Sequence, residues 1–235
     1  MSEAVRSQSI GAEDTTIELH QLGSSNTSSG SILVIPDHRC SADEAANLAQ
    51  FFAKDFHLYV FGGNLPSAAE CFEYGEKLAS HLESIKAKRL TVVGVGAGSA
   101  LAQALVLADR SIIRRLALVD GFASPAKASK NLLQRAAEMF LPAGLPLHPT
   151  KGALDLRPHL HRLRPPTLLL LTKQPATIVA ADAPLMLERI PNCRQTTLRQ
   201  PLYTDTGALG LEFSKLLREF MEVPVKRSQK GTSAE

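Results

Sequence analysis

The stretch that decides the fold is Leu90-Thr91-Val92-Val93-Gly94-Val95-Gly96-Ala97-Gly98-Ser99. It is followed by the alanine- and leucine-rich run 101–108 and by Arg114-Arg115-Leu116-Ala117-Leu118-Val119-Asp120. A short run rich in β-branched residues predicts a strand covered on both faces, three alternate glycines predict a tight turn, and the small-residue run predicts a helix. Two chemistries use such a strand–turn–helix. In one, Gly94, Gly96 and a small residue near Ser99 seat a pyrophosphate on the helix N-terminus while Asp120 takes a ribose hydroxyl, as in a nucleotide-dependent oxidoreductase. In the other, of the G-x-S-x-G type, a sharp elbow lifts a nucleophile above the sheet edge. Gly94 and Gly98 then stand at the flanking glycines, and Gly96 falls on the nucleophile itself. Dinucleotide turns usually follow the first strand, whereas at least two predicted strands precede this one, which favours the elbow.

Working outward, apolar runs alternate with helical patterns along most of the chain. Strands are predicted at 17–22, 31–35, 57–61, 89–93, 116–119, 167–171 and 194–198. Helices are predicted from Ser41, whose capping-box partner is Glu44 and whose apolar face is Ala45, Leu48, Ala49 and Phe52, and from Pro66 to about 85. Further helices are predicted at 98–108, about 125–140, 178–190 and 206–221. Such alternation implies an α/β fold: a mostly parallel sheet, right-handed crossovers, helices on both faces and functional groups at the carboxyl ends of the strands. Residues 1–30 form an N-terminal segment with a flexible Ser/Asn/Gly loop, 31–222 the domain, and 223–235 a tail expected to be disordered.

These segments together resemble the α/β-hydrolase family over most of the chain. The runs 101–108 and 114–120 look like the family's post-elbow helix and sixth strand. Leu163-Arg164-Pro165-Pro166-Thr167-Leu168-Leu169-Leu170 looks like the entry to its seventh strand. Glu188-Arg189-Ile190-Pro191-Asn192-Cys193 resembles the helix and turn before its eighth, and 213–220 its closing helix. The resemblance implies a lid between strands six and seven, here reduced to about 122–164.

The chemistry expected of that family needs a hydroxyl or thiol, a base to activate it and a group to orient the base. Gly96 has no side chain. Ser99 lies a turn into the helix and is expected to face away from the apex. The turn after the seventh strand, Thr172-Lys173-Gln174-Pro175-Ala176, holds no acid before Asp182, which is expected to cap or to face solvent. The alternative acid position, after strand six, is filled by Asp120, whose bland reading is a loop carboxylate bonded to nearby amides. The base is expected within 199–205, Arg-Gln-Pro-Leu-Tyr-Thr-Asp, yet no histidine follows His161.

In place of the usual His-Gly after the first core strand stands Pro36-Asp37-His38-Arg39-Cys40. Asp37 puts negative charge where an oxyanion would develop, which disfavours acyl transfer. Asp37 and His38 beside Cys40 also allow a displaced acid–base pair and nucleophile, against the simpler reading of a solvated loop. His159 and His161, if helical, diverge by roughly 200°, which is poor for a metal, so no metal is expected.

Composition narrows the rest. The chain has 235 residues, 44% hydrophobic and 21% charged, enough for one sizeable core. A formal charge of +3 with dispersed basic residues argues against a nucleic-acid partner. Cys40, Cys71 and Cys193 are too widely spaced for a disulfide framework or zinc site. No apolar run is long enough to span a bilayer. The expectation is a soluble, cytoplasmic, α/β-hydrolase-like protein without cofactor and without catalysis. It would bind a small molecule or a protein partner through Asp37, His38, Gly96, Ala97 and Asp120. The alternatives are an atypical hydrolase or lyase using Asp37, His38, Cys40 and Asp120, and the nucleotide-dependent oxidoreductase.

Overall fold

The computed structural model describes residues 6–10, 17–23, 30–124, 154–204 and 207–222. Its strands are β1 (Arg6–Ile10), β2 (Ile17–Leu22), β3 (Ser31–Ile35), β4 (His57–Phe61), β5 (Leu90–Val95), β6 (Ile113–Val119), β7 (Thr167–Leu171) and β8 (Cys193–Thr197). Its helices are α1 (Ala42–Ala49), α2 (Cys71–Ser84), α3 (Gly98–Ala108), α4 (Thr177–Arg189) and α5 (Leu211–Glu222), with a 3₁₀ helix at Arg157–Arg162. Among the described residues the strands form one eight-stranded sheet in the order β1-β2-β4-β3-β5-β6-β7-β8. The pairings β1–β2 and β2–β4 are antiparallel and all others parallel.

The continuous apolar runs are explained by the two faces. Leu33 and Ile35 of β3 enter one core, with α2, α3 and Met186 of α4. Ile32 and Val34 enter the other, with Ala45 and Leu48 of α1 and Phe213, Leu217 and Phe220 of α5. Successive strand residues point to opposite faces, so a strand covered on both has no polar alternation to show. Fully burying one such side chain stabilises by about 1.5–3 kcal/mol.

Helix starts follow local chemistry. Ser41 Oγ accepts the Glu44 amide while the Ser41 amide donates to the Glu44 carboxylate, the predicted capping box. Pro66 does not open α2, which starts at Cys71. Ser67 donates its amide and hydroxyl to Glu70, and this turn delays the helix. The last helix begins at Leu211 rather than near 206, because Tyr203 and Leu209 pair as a β-bridge before it. The sequence also hid β1, which pairs with β2 and extends the sheet by one more strand within the segment 1–30. The predicted helix at 125–140, most of the expected lid and the tail 223–235 lie outside the described residues. Among the described residues no helix is long and apolar enough to cross a membrane.

His81 on α2 is 5% exposed. Among the described residues neither of its ring nitrogens has a hydrogen-bond partner, and burial holds its pKa below the ordinary value. The fold therefore favours neutral His81. Its contribution is fully present above the unfolded pKa, about 6.5, and is lost as pH falls from there toward the lower folded value. Urea unfolding at pH 7.5 and pH 5 should show a smaller loss of stability in His81→Leu than in wild type. Equal losses in the two proteins would mean that His81 does not carry this dependence.

Candidate functional site

At the carboxyl edge of the sheet, β5 runs into α3 through Gly96, which has φ +49°. The Gly96 amide donates to the Val119 carbonyl at 2.8 Å, and its carbonyl accepts the Ser99 amide at 3.1 Å. The turn is thereby tied to β6 on one side and to its own helix on the other. A Cβ on Gly98 would stand 2.3 Å from the Ile35 carbonyl oxygen, so glycine alone lets α3 start this close to the end of β3. Beside the apex sits Asp37. A Cβ on Gly96 would lie 3.0 Å from Asp37 Cβ and 3.5 Å from Asp37 Oδ2, and apart from Val95 and Ala97 on either side no described residue comes nearer. The place of a nucleophile side chain is flanked by a carboxylate.

Asp37 is itself held. His38 Nδ1 donates to Asp37 Oδ1 at 2.7 Å, with both side chains about half exposed. Cys40, two residues on, is buried, and its pKa is pushed up to about 12 by burial and then by Glu44 and Glu18. It stays a protonated thiol at neutral pH, which removes the thiolate that a Cys40–His38 nucleophile needs. Its carbonyl accepts from buried His20 Nε2 at 2.9 Å, which fixes the loop against β2.

Asp120, at the end of β6, has φ +46°. Its two carboxylate oxygens accept from the Thr172 amide at 2.8 Å and from the Thr172 hydroxyl at 2.6 Å. It clamps the end of β6 to the end of β7. A carboxylate so engaged is not turned to a ribose, and this weakens the dinucleotide reading, as does the glycine turn's place after the fifth strand. Asp182 does not cap α4 and is only partly exposed: its Oδ2 accepts the amides of Ala123 and Ser124 at 2.8 and 2.9 Å. Gln103 Nε2 on α3 donates to the Phe122 carbonyl, and the Leu156 amide to the Ala123 carbonyl. The expected lid segment thus leaves and rejoins the body at one anchored point.

The structure brings Asp37, His38 and Gly96 together and places Ala97 directly after the apex, its amide donating no hydrogen bond among the described residues. Asp120 lies one strand away on other duty. Ser99 is fully buried, its hydroxyl 3.5 Å from where a Cβ on Gly121 would stand, so it serves the interior. His159 packs edge-on against Phe72 and His161 is exposed, so the two rings do not share a site. Sequence reasoning missed Tyr203. It lies in the β8–α5 connection, where the family's base would be sought, and its hydroxyl is buried with no hydrogen-bond partner among the described residues. Burial, then Asp37 and Cys40, raise its pKa, so it remains a protonated donor. A hydroxyl-bearing aromatic in the stretch searched for a histidine was the available signal.

No protein-family model matches the sequence and no curated protein matches it. Solved structures do. Esterase RhEst1 from Rhodococcus sp. ECU1013 is similar with a TM-score of 0.68 at 13% identity, over 95% of this chain and 99% of that one. A lipase-esterase related protein from Clostridium acetobutylicum ATCC 824 is similar at 0.67 and 13%, over 87% and 99%. MenH from S. aureus is similar at 0.64 and 16%, over 86% and 97%. The chain has the α/β-hydrolase fold. At such identities the likeness reaches the architecture and not the chemistry of the edge, which this chain's own residues decide.

A left-handed φ costs a residue with a Cβ roughly 1–2 kcal/mol, and the Asp37 contact adds to that at position 96. Gly96→Ala should therefore lower the free energy of unfolding in urea, and an Asp37→Gly background should return part of the loss. Additive losses in the double-mutant cycle would show that the two positions do not press on each other.

Proposed function

We propose that this α/β-hydrolase-fold protein is non-catalytic and uses the former catalytic edge to bind a small molecule or a protein partner. The observation that carries the reading is the apex itself: Gly96 offers no nucleophile, and Asp37 lies against the place one would occupy. The rest of the machinery is missing in the same sense. No histidine follows His161 to serve as base from the β8–α5 connection, Asp120 is bonded to Thr172, and Cys40 is held as a thiol. A negative charge beside the elbow would also oppose an oxyanion there. What remains is recognition chemistry: the Asp37 carboxylate and the Ala97 amide, with His38 bonded to Asp37 at the rim.

An atypical hydrolase or lyase is the second reading, and the short Asp37–His38 contact favours it, since that pair forms an acid–base couple. Among the described residues nothing else in the site supplies a partner nucleophile. No cofactor or metal enters either reading. The modest net charge supports a partner other than nucleic acid or a membrane, and the three free cysteines fit a reducing, cytoplasmic setting.

The test is activity on short acyl esters such as p-nitrophenyl acetate and butyrate, together with labelling by a fluorophosphonate and by iodoacetamide. Wild type should hydrolyse at background and take no fluorophosphonate, and Cys40 should resist alkylation in the folded protein. Gly96→Ser should not restore turnover, since no base stands opposite it. Turnover above background that disappears in Asp37→Ala or His38→Ala would establish the second reading in place of the first.

A further inference from the structure

We propose that the amino edge of the sheet, opposite the elbow, is a second interaction surface: a row of arginines that docks an acidic, carboxylate-bearing segment of a partner protein. This surface is independent of what the elbow edge binds.

Basic residues that are dispersed along the sequence are gathered here by topology. Parallel strands begin at one edge, and the turns and first residues of β5, β6, β7 and β8 carry Arg89, Arg110, Arg114, Arg164, Arg189 and Arg194. Hydrogen bonds join these turns into one surface. The Leu90 amide, next to Arg89, donates to the Ile112 carbonyl at 2.8 Å, and the Leu116 amide of β6 donates to the Pro166 carbonyl at 3.0 Å. The Thr167 amide donates to the Asn192 carbonyl at 2.8 Å, and Asn192 Nδ2 donates to the Arg164 carbonyl at 3.2 Å. The turn between Arg189 and Arg194 is thereby bonded to the one that holds Arg164.

The edge also holds guanidinium groups in place. Leu90 pairs with Ile113 and Thr91 with Arg115, so Arg114 sits at a bulge, without a partner on β5, and is partly exposed. Arg194 is exposed, with its Cζ 5.0 Å from the centre of the Phe220 ring; Arg115 lies 5.8 Å from the same ring and is 2% exposed. A guanidinium laid over an aromatic ring keeps its planar fork ready for a carboxylate, two N–H groups to two oxygens. Arg115 adds charge beneath the row: burial, then Arg114, Arg89 and Arg194, push its pKa down to about 10, and it stays charged at neutral pH.

None of the six arginines of the row enters an ion pair among the described residues. The acids beside them are exposed Glu83 and Glu188 and Asp109, which is bonded to the Ser111 amide and hydroxyl at 2.7 and 3.1 Å. A helix dipole explains Arg189, in the last turn of α4. It does not explain Arg114, Arg164 and Arg194, which lie on or before strands. The chemistry selects a carboxylate-bearing protein segment over other polyanions. Phe220, the aromatic ring under the row, is 3% exposed, so no base can stack on it. Phe72, Leu187 and Leu211, the large apolar side chains exposed among the described residues, lie on three different helices, so no one helix offers the apolar face that enters a bilayer. Glu83 and Glu188 interrupt the row, which a continuous anionic surface would meet but a peptide seated on single arginines avoids.

The probe is fluorescein-labelled hexaglutamate, read by fluorescence anisotropy with the whole protein at low salt. It is compared with hexalysine, a thymidine hexanucleotide and vesicles of phosphatidylserine and phosphatidylcholine. Hexaglutamate should bind and hexalysine should not, and physiological salt should weaken the binding. Two double variants make the same change of net charge at opposite edges: Arg89→Glu with Arg164→Glu at the amino edge, and Lys173→Glu with Arg199→Glu at the carboxyl edge. The first should weaken hexaglutamate at least about tenfold, and the second less than about threefold. Arg110→Glu with Arg189→Glu is a second pair at the amino edge and should act like the first. All six positions are exposed, and thermal melting that matches wild type confirms folded variants. Absence of hexaglutamate binding, or equal losses in the amino-edge and carboxyl-edge variants, overturns the inference. Tighter binding of the hexanucleotide or of the vesicles than of hexaglutamate also overturns it, because the partner would then be a nucleic acid or a membrane.

Discussion

The helix that follows the central strand starts in contact with the end of β3, and that crossing sets the rest of the edge. A Cβ at Gly98 would stand 2.3 Å from the Ile35 carbonyl oxygen, so the helix axis can come this near only where a side chain is missing. From it follow the left-handed Gly96 at the apex and the nearness of the β3–α1 loop to the elbow. The position of Ala97 at the start of α3 has the same origin. Asp37 is beside Gly96 because the loop leaves β3 at the point the helix crosses.

A second constraint governs the loops around that elbow. Their backbone amides need acceptors, and carboxylates supply them. Asp120 binds Thr172, and Asp182 binds Ala123 and Ser124. Glu212 of α5 likewise accepts the amides of Arg199 and Gln200 ahead of Tyr203. Acids that a catalytic scheme would aim at a histidine here hold loop ends together. The edge keeps its architecture by structural hydrogen bonds that require no catalytic triad.

Gly96 and Asp37 change the site together. A residue with a Cβ at 96 would meet both an unfavourable φ and the Asp37 side chain. The carboxylate beside the glycine also makes the edge electronegative where acyl transfer would require electropositive character. Burial is the main reason that the Cys40 thiol and the Tyr203 hydroxyl are each held protonated.

By itself the sequence determined the class of fold, the place of the elbow and the absence of a side chain at its apex. Each is local: β-branched runs, alternate glycines and a small-residue helix are set by steric rules acting over a few residues. The Ser41–Glu44 box was legible for the same reason. Only the tertiary structure decided what the polar residues do. Asp120 and Thr172 are 52 positions apart, and Asp182 and Ala123 are 59; no short-range pattern marks such pairs, because they meet only once parallel strands lie side by side. Tyr203 stayed hidden likewise, its hydroxyl being buried only once the ring packs against the core on the α1 and α5 side of the sheet. β1 was illegible for a different reason: Arg-Ser-Gln-Ser-Ile lacks the apolar run of a central strand, and edge pairing with β2 supplies its order from outside the segment.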